Sequence, residues 1–113
     1  MNSVILVGRL VSDLDVKTLE SGKEVTKVSL AVNRGFKNIN GVYEVDFFDC
    51  ILWEGLAVNT SLYCKKGDTV GVHGRLQTSF YEKDGIKRKV VEVVVEKITF
   101  FSSKKDDTKE IED

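Results

Sequence analysis

The stretch Thr69-Val70-Gly71-Val72-His73-Gly74-Arg75-Leu76-Gln77-Thr78-Ser79-Phe80-Tyr81 alternates along its whole length. Val70, Val72, Gly74, Leu76, Thr78 and Phe80 share one side of an extended chain, and Thr69, Gly71, His73, Arg75, Gln77, Ser79 and Tyr81 share the other. Successive side chains of a strand point to opposite faces, so this period of two predicts a long strand with one side toward a core and the other toward water. The wet side carries an arginine and ends in an aromatic ring.

Four more runs of this kind surround it. Residues 4–11 are almost continuously apolar, which predicts burial on both faces. Residues 26–32 alternate, with Val28, Leu30 and Val32 apolar and Lys27 and Ser29 between them. Residues 43–53 and 89–100 complete a set of five strands. The chain contains no proline, which permits so much strand. Asn40-Gly41 and Asp84-Gly85 are hairpin signals, read here as loops longer than two residues at the tips of finger-like hairpins. Residues 54–64 form the one expected helix, ended by Lys65-Lys66-Gly67-Asp68. Three strands, a short helix and two strands is the order of an OB-fold: all-β with one short helix, a five-stranded barrel with extended hairpins. It is expected to fill residues 1–103, and residues 104–113, which lack periodicity, are expected to be a disordered acidic tail.

Composition narrows the possibilities. At 113 residues, 42% hydrophobic and 31% charged, the chain has room for one globular domain. No apolar run approaches the roughly 20 residues that cross a bilayer, so no membrane partner is expected. The apolar start is broken at Gly8 and Arg9, unlike a secretory signal, which predicts a cytoplasmic protein with Cys50 and Cys64 reduced. The net charge of −1 conceals an asymmetry: residues 106–113 carry −4, leaving +3 on the rest.

Enzyme chemistry has little to build on. His73 is the only histidine and reads as a surface residue. There is no nucleophile-elbow serine, no glycine-rich phosphate loop and no CxxC pair, so neither catalysis nor a metal or other cofactor is expected. What remains is a surface. Phe36 stands near a hairpin tip between Arg34 and Lys37. Phe47 and Trp53 share one parity of their strand with Asp49 and Ile51, and Phe48, Cys50 and Leu52 share the other; hydrophobicity alone leaves open which set is the core. Aromatic rings interleaved with Arg and Lys make a platform for single-stranded nucleic acid, because unpaired bases stack on rings while cations follow phosphates. An adaptor barrel that buries its aromatics against another protein, and an RNA-binding module, are alternative readings of the same surface.

Several segments together resemble bacterial single-stranded DNA-binding proteins. They are Met1-Asn2-Ser3-Val4-Ile5-Leu6-Val7-Gly8-Arg9-Leu10, Leu30-Ala31-Val32-Asn33-Arg34-Gly35-Phe36-Lys37-Asn38, Asp46-Phe47-Phe48-Asp49-Cys50-Ile51-Leu52-Trp53, Tyr63-Cys64-Lys65-Lys66-Gly67, and residues 70–78 followed by Tyr81. They come in the family's order over residues 1–101.

The resemblance implies a homotetramer that binds and protects single-stranded DNA regardless of sequence, in replication, recombination, repair or DNA uptake. Its stacking aromatics fall at Phe36, Phe47, Trp53 and Tyr81, which turns Phe47 and Trp53 toward DNA. Its basic positions match Lys17, Arg34, Lys37, Lys66 and Arg75, and composition adds Arg9, Lys65, Lys87 and Arg88. Two departures are expected to weaken phosphate attraction: Ser79 where a basic residue is common, and Asp49 between the two aromatics. The terminal Pro-Phe tip through which longer members recruit replication and repair proteins has no match here.

Overall fold

The computed structural model describes residues 1–101 and the backbone of residues 108–112. Its elements run β1 (Val4–Leu10), β2 (Lys17–Thr18), β3 (Glu24–Lys37), β4 (Tyr43–Trp53), α1 (Glu54–Tyr63), β5 (Thr69–Lys83), β6 (Ile86–Phe101) and β7 (Thr108–Glu112). All five expected strands and the helix are present. Neighbouring strands follow the order β1-β5-β6-β4-β3, and β1 pairs again with β3 to close the barrel. Among the described residues, only β4 and β6 run parallel, meeting at Cys50–Val93 and Ile51–Val94. This is an OB-fold.

The interior follows from parity. Val28 and Leu30 of β3, Cys50 and Leu52 of β4, Val70 and Val72 of β5, and Val93, Val95 and Ile98 of β6 point inward, and Leu56 and Ala57 of α1 pack against them. Both cysteines are free and buried, and burial pushes their thiols up, Cys50 to about 12 and Cys64 to about 11, with Asp49 and Asp68 adding a smaller push. Gly74 lies at a register shift between β5 and β6, where a Cβ would run into the Val94 carbonyl. Only glycine allows that approach.

Four features go beyond or depart from those expectations. First, a single chain covers β1 on one face alone: Leu10 is buried, and Ile5 and Val7 are 75% and 54% exposed on the outer side of the barrel. Second, the β5–β6 hairpin has no long loop. Lys83 pairs with Ile86 across Asp84-Gly85, whose φ angles of 53° and 74° are those of a tight two-residue turn. The β3–β4 loop is longer, as expected; the Asn38 side chain accepts backbone N–H groups from Asn40 and Val42. Third, β2 joins the edge of β3 through Lys17–Val25 and Thr18–Glu24, a pairing too short to leave a pattern in sequence. Fourth, within the stretch expected as a tail, the backbone of Thr108–Glu112 runs antiparallel to Lys97–Phe101 of β6. Beyond its short pairing with β4, that edge of β6 is open, and unpaired N–H and C=O groups there template another strand. The rest of that segment and the boundary at residue 103 lie outside the described residues.

Candidate nucleic-acid interface

Side chains directly opposite in a ladder share a face, so the pairing partners fix what stands on the outside of the barrel. Phe47 pairs with Ala31, and Ala31 with Arg9, placing the ring and the guanidinium in one row. Ser29 pairs with Asp49 and donates its hydroxyl to that carboxylate at 2.8 Å. Lys27, Ile51, Val94 and Arg75 form a further row across four strands. Lys17, Val25 and Trp53 form another. The outer set of β4 is therefore Phe47, Asp49, Ile51 and Trp53, and the inner set is Phe48, Cys50 and Leu52. The question left open by hydrophobicity is decided by which side the barrel closes over.

The two outer aromatics of β4 differ. Phe47 is 65% exposed. Trp53 is half-buried, one side packed on Val25, Ile51 and Val94, a small apolar cluster outside the main core. It also occupies the strand-to-helix junction, where Glu54 has a φ of 54° and its carboxylate accepts the Glu24 N–H at 2.7 Å. Packing on that cluster holds one side of the ring.

Beyond the barrel, β3–β4 and β5–β6 project as two arms. On the β5–β6 arm, Arg75, Gln77, Ser79 and Tyr81 continue the outer face, with Arg88 directly opposite Tyr81. Arg75 lies 3.6 Å from Glu96 and reaches the Gln77 side chain at 3.3 Å. On the β3–β4 arm, Phe36 is 67% exposed, and Lys37 pairs with Tyr43 with its ammonium 5.7 Å from the ring centroid. Lys65 and Lys66 are exposed in the loop after α1. The Lys66 N–H is held by Asp13 at 2.8 Å, beside the groove lined by Asp13, Asp15, Lys17 and Val25.

Two expected cations stand elsewhere. Lys87 lies on the reverse of its arm, its ammonium 4.8 Å from the Phe80 ring centroid. The two-residue turn fixes that register and puts Arg88, not Lys87, beside Tyr81. Arg34 has the parity of the barrel interior and meets Glu44 and Asp46, opposite in facing to Phe47. Conversely, sequence reading passed over Lys27. Its side chain is 65% exposed on the outer face, and its ammonium lies 3.3 Å from Glu92, a carboxylate buried there. Its place in the polar register of residues 26–32 was the available signal. Tyr43 was also passed over. His73 is exposed as expected, 3.1 Å from the Ser3 hydroxyl. Among the described residues there is no cluster of His, Cys, Asp or Glu fit to hold a metal ion and no helix long and apolar enough to cross a membrane.

An OB barrel whose outer face carries exposed rings between cations defines a class of protein: a binding domain that takes an extended ligand along its surface. The profile of the single-strand binding protein family matches residues 1–101, and this chain belongs to that family. It is 47% identical over 104 residues to single-stranded DNA-binding protein B of Bacillus subtilis strain 168, covering 91% of this chain and 92% of that one. It is 48% identical over 101 residues to the single-stranded DNA-binding protein of Bacillus cereus, covering 88% of this chain and 59% of the relative. With single-stranded DNA-binding protein 2 of Listeria monocytogenes the identity is 46% over 105 residues, 92% of this chain and 66% of the other.

Proposed function

We propose that this protein binds single-stranded DNA without sequence selection and performs no chemistry on it. Bases stack on Phe36, Phe47, Trp53 and Tyr81. Phosphates meet Arg9, Lys17, Lys27, Lys37, Arg75 and Arg88, with Lys65 and Lys66 at the rim. The observation that carries this reading is Phe47: a ring 65% exposed on a sheet face, in one row with Arg9 and one strand position-pair away from Asp49. Exposed aromatic rings beside cations suit a ligand that offers flat π-faces and a negative backbone. The protein works in the cytoplasm as a homotetramer that protects exposed strands during replication, recombination, repair or uptake of DNA. Assembly is supported by Ile5 and Val7, an apolar pair on the outer side of β1 that an isologous contact would cover.

Anisotropy of labelled oligo-dT, titrated at several salt concentrations with oligo-U as competitor, tests the binding mode. Tight binding with a residual salt-insensitive part and preference for oligo-dT is expected. No measurable affinity for oligo-dT, or preference for oligo-U, overturns it. Light scattering at micromolar concentration tests assembly: a mass of four chains is expected, and a monomer contradicts it.

A further inference from the structure

The β3–β4 ladder loses its register between Asn33 and Lys37. Asn33 pairs with Val45 and Lys37 with Tyr43, so Arg34, Gly35 and Phe36 cover the distance that Glu44 covers alone. A bulge of this kind leaves backbone groups unpaired and re-aims the side chains within it. Phe36 is one of those side chains. Arg34 is another, and it bridges the gap. Its Nε and Nη2 donate to the two oxygens of Asp46 at 3.1 and 3.0 Å, and its Nη1 donates to Glu44 at 2.9 Å. A planar guanidinium engaged by one carboxylate on both forks and by a second on its remaining arm has its orientation fixed. Its charge is also outweighed by the two carboxylates, so this cluster does not attract phosphate. The Arg34 guanidinium holds the Asp46 carboxyl below the usual carboxylate range, and the ion pair persists when other acids begin to protonate.

We infer that Arg34, tied to Asp46 and Glu44 across the β3–β4 bulge, is a positioning residue that sets the direction of Phe36 and is not itself a phosphate contact. The inference rests on the reading that Phe36 stacks a base. The assignment departs from what the family resemblance implies, where Arg34 counts among the groove cations.

A tryptophan moved to position 36 reads this out. The double variant Trp53→Phe, Phe36→Trp carries its single indole at the arm, while the parent chain carries its own at Trp53. Oligo-dT is expected to quench both. Adding Arg34→Ala or Asp46→Asn is expected to remove most of the quenching at position 36 and leave that of Trp53 intact. In the parent chain either substitution is expected to weaken binding about fivefold, the low end of one base–aromatic stack, with the salt slope unchanged. Arg34→Lys should behave like Arg34→Ala, because an ammonium cannot replace the fork. Tighter binding and a steeper salt slope in Asp46→Asn, or a slope reduced by about 0.7 in Arg34→Ala, would show a phosphate contact and overturn the inference. Loss of the Trp53 signal along with that at position 36 would also overturn it, since the effect would then be on the whole fold. Absence of quenching at position 36 before either substitution is made would instead remove the stacking reading on which it rests.

Discussion

The strand β5 leads two lives. Near its start, Val70 and Val72 are 0% and 3% exposed; further on, Leu76 and Phe80, on the same side of the same strand, are 45% and 59% exposed. Nothing in the alternation of residues changes between them. What changes is closure: the first half lies within the barrel wall, paired with β1 on one side and β6 on the other, and the second half projects as an arm paired with β6. The same apolar parity is thus core in one region and surface in the other. Burial is set by topology as much as by side-chain character.

The stability of the two regions should differ most. Leu52→Ala inside the barrel is expected to cost about 2–5 kcal/mol, the range for a cavity left by a buried leucine. Phe80→Ala on the arm is expected to stay within about 0.5 kcal/mol, as exposed positions do. Urea unfolding of the two variants checks this, and equal losses would break the distinction between barrel and arm.

Binding should invert that order. Trp53→Ala is expected to lose about 1–3 kcal/mol of oligo-dT affinity for each base that leaves the ring, nearly independent of salt. Because Trp53 also covers Val25, Ile51 and Val94, Trp53→Phe is the control that keeps the packing. Adjacent cations on the β5–β6 arm then separate its two faces. Arg88→Ala should flatten the log–log salt dependence by about 0.7 per lost phosphate contact, whereas Lys87→Ala, on the Phe80 side, should leave the slope as it was. Equal slopes for both variants would mean that the arm is wrapped from both sides. A smaller effect is expected from Asp49→Asn. It removes a negative charge from the outer face and should tighten binding at low salt, with the gain fading as salt screens it.

The smallest effect expected is the pH dependence that the two buried thiols give. Folded Cys50 and Cys64 titrate at about 12 and 11 against an ordinary 9.0, so between pH 9 and 11 the unfolded chain releases protons that the folded chain keeps. Stability must therefore fall as pH rises through that window. Unfolding midpoints measured at pH 8 and pH 10 check the sign, and a rise would contradict the burial of the two thiols.

Much of this molecule was legible from residue order, and the rest depends on neighbours brought in by the fold. The five long strands and the helix announced themselves by period and by turn chemistry. The choice between Phe47 and Phe48 as outward-facing did not, since both are phenylalanines in equally apolar company; the resemblance to a family chose, and the ladder partners of β4 agree. Arg34 continues the inward parity of Val28, Leu30 and Val32, although the resemblance counts it among the groove cations, and the side on which Lys87 stands depends on the length of the β5–β6 turn, which residue order did not fix. Ile5 and Val7 are open on the outer side of a single chain, and what covers such a side is not written in the chain's own alternation. Strands β2 and β7 were invisible because what makes them strands is an open edge on β3 or β6, a property of their neighbours.

The central claim is that the outer face of the barrel binds single strands by stacking bases on its rings. Trp53, the only tryptophan, reports on it directly. Its emission should fall in step with saturation as oligo-dT is added, and the fall per bound strand should persist at salt concentrations that weaken the phosphate contacts. Full-affinity binding of oligo-dT with Trp53 emission unchanged would contradict it.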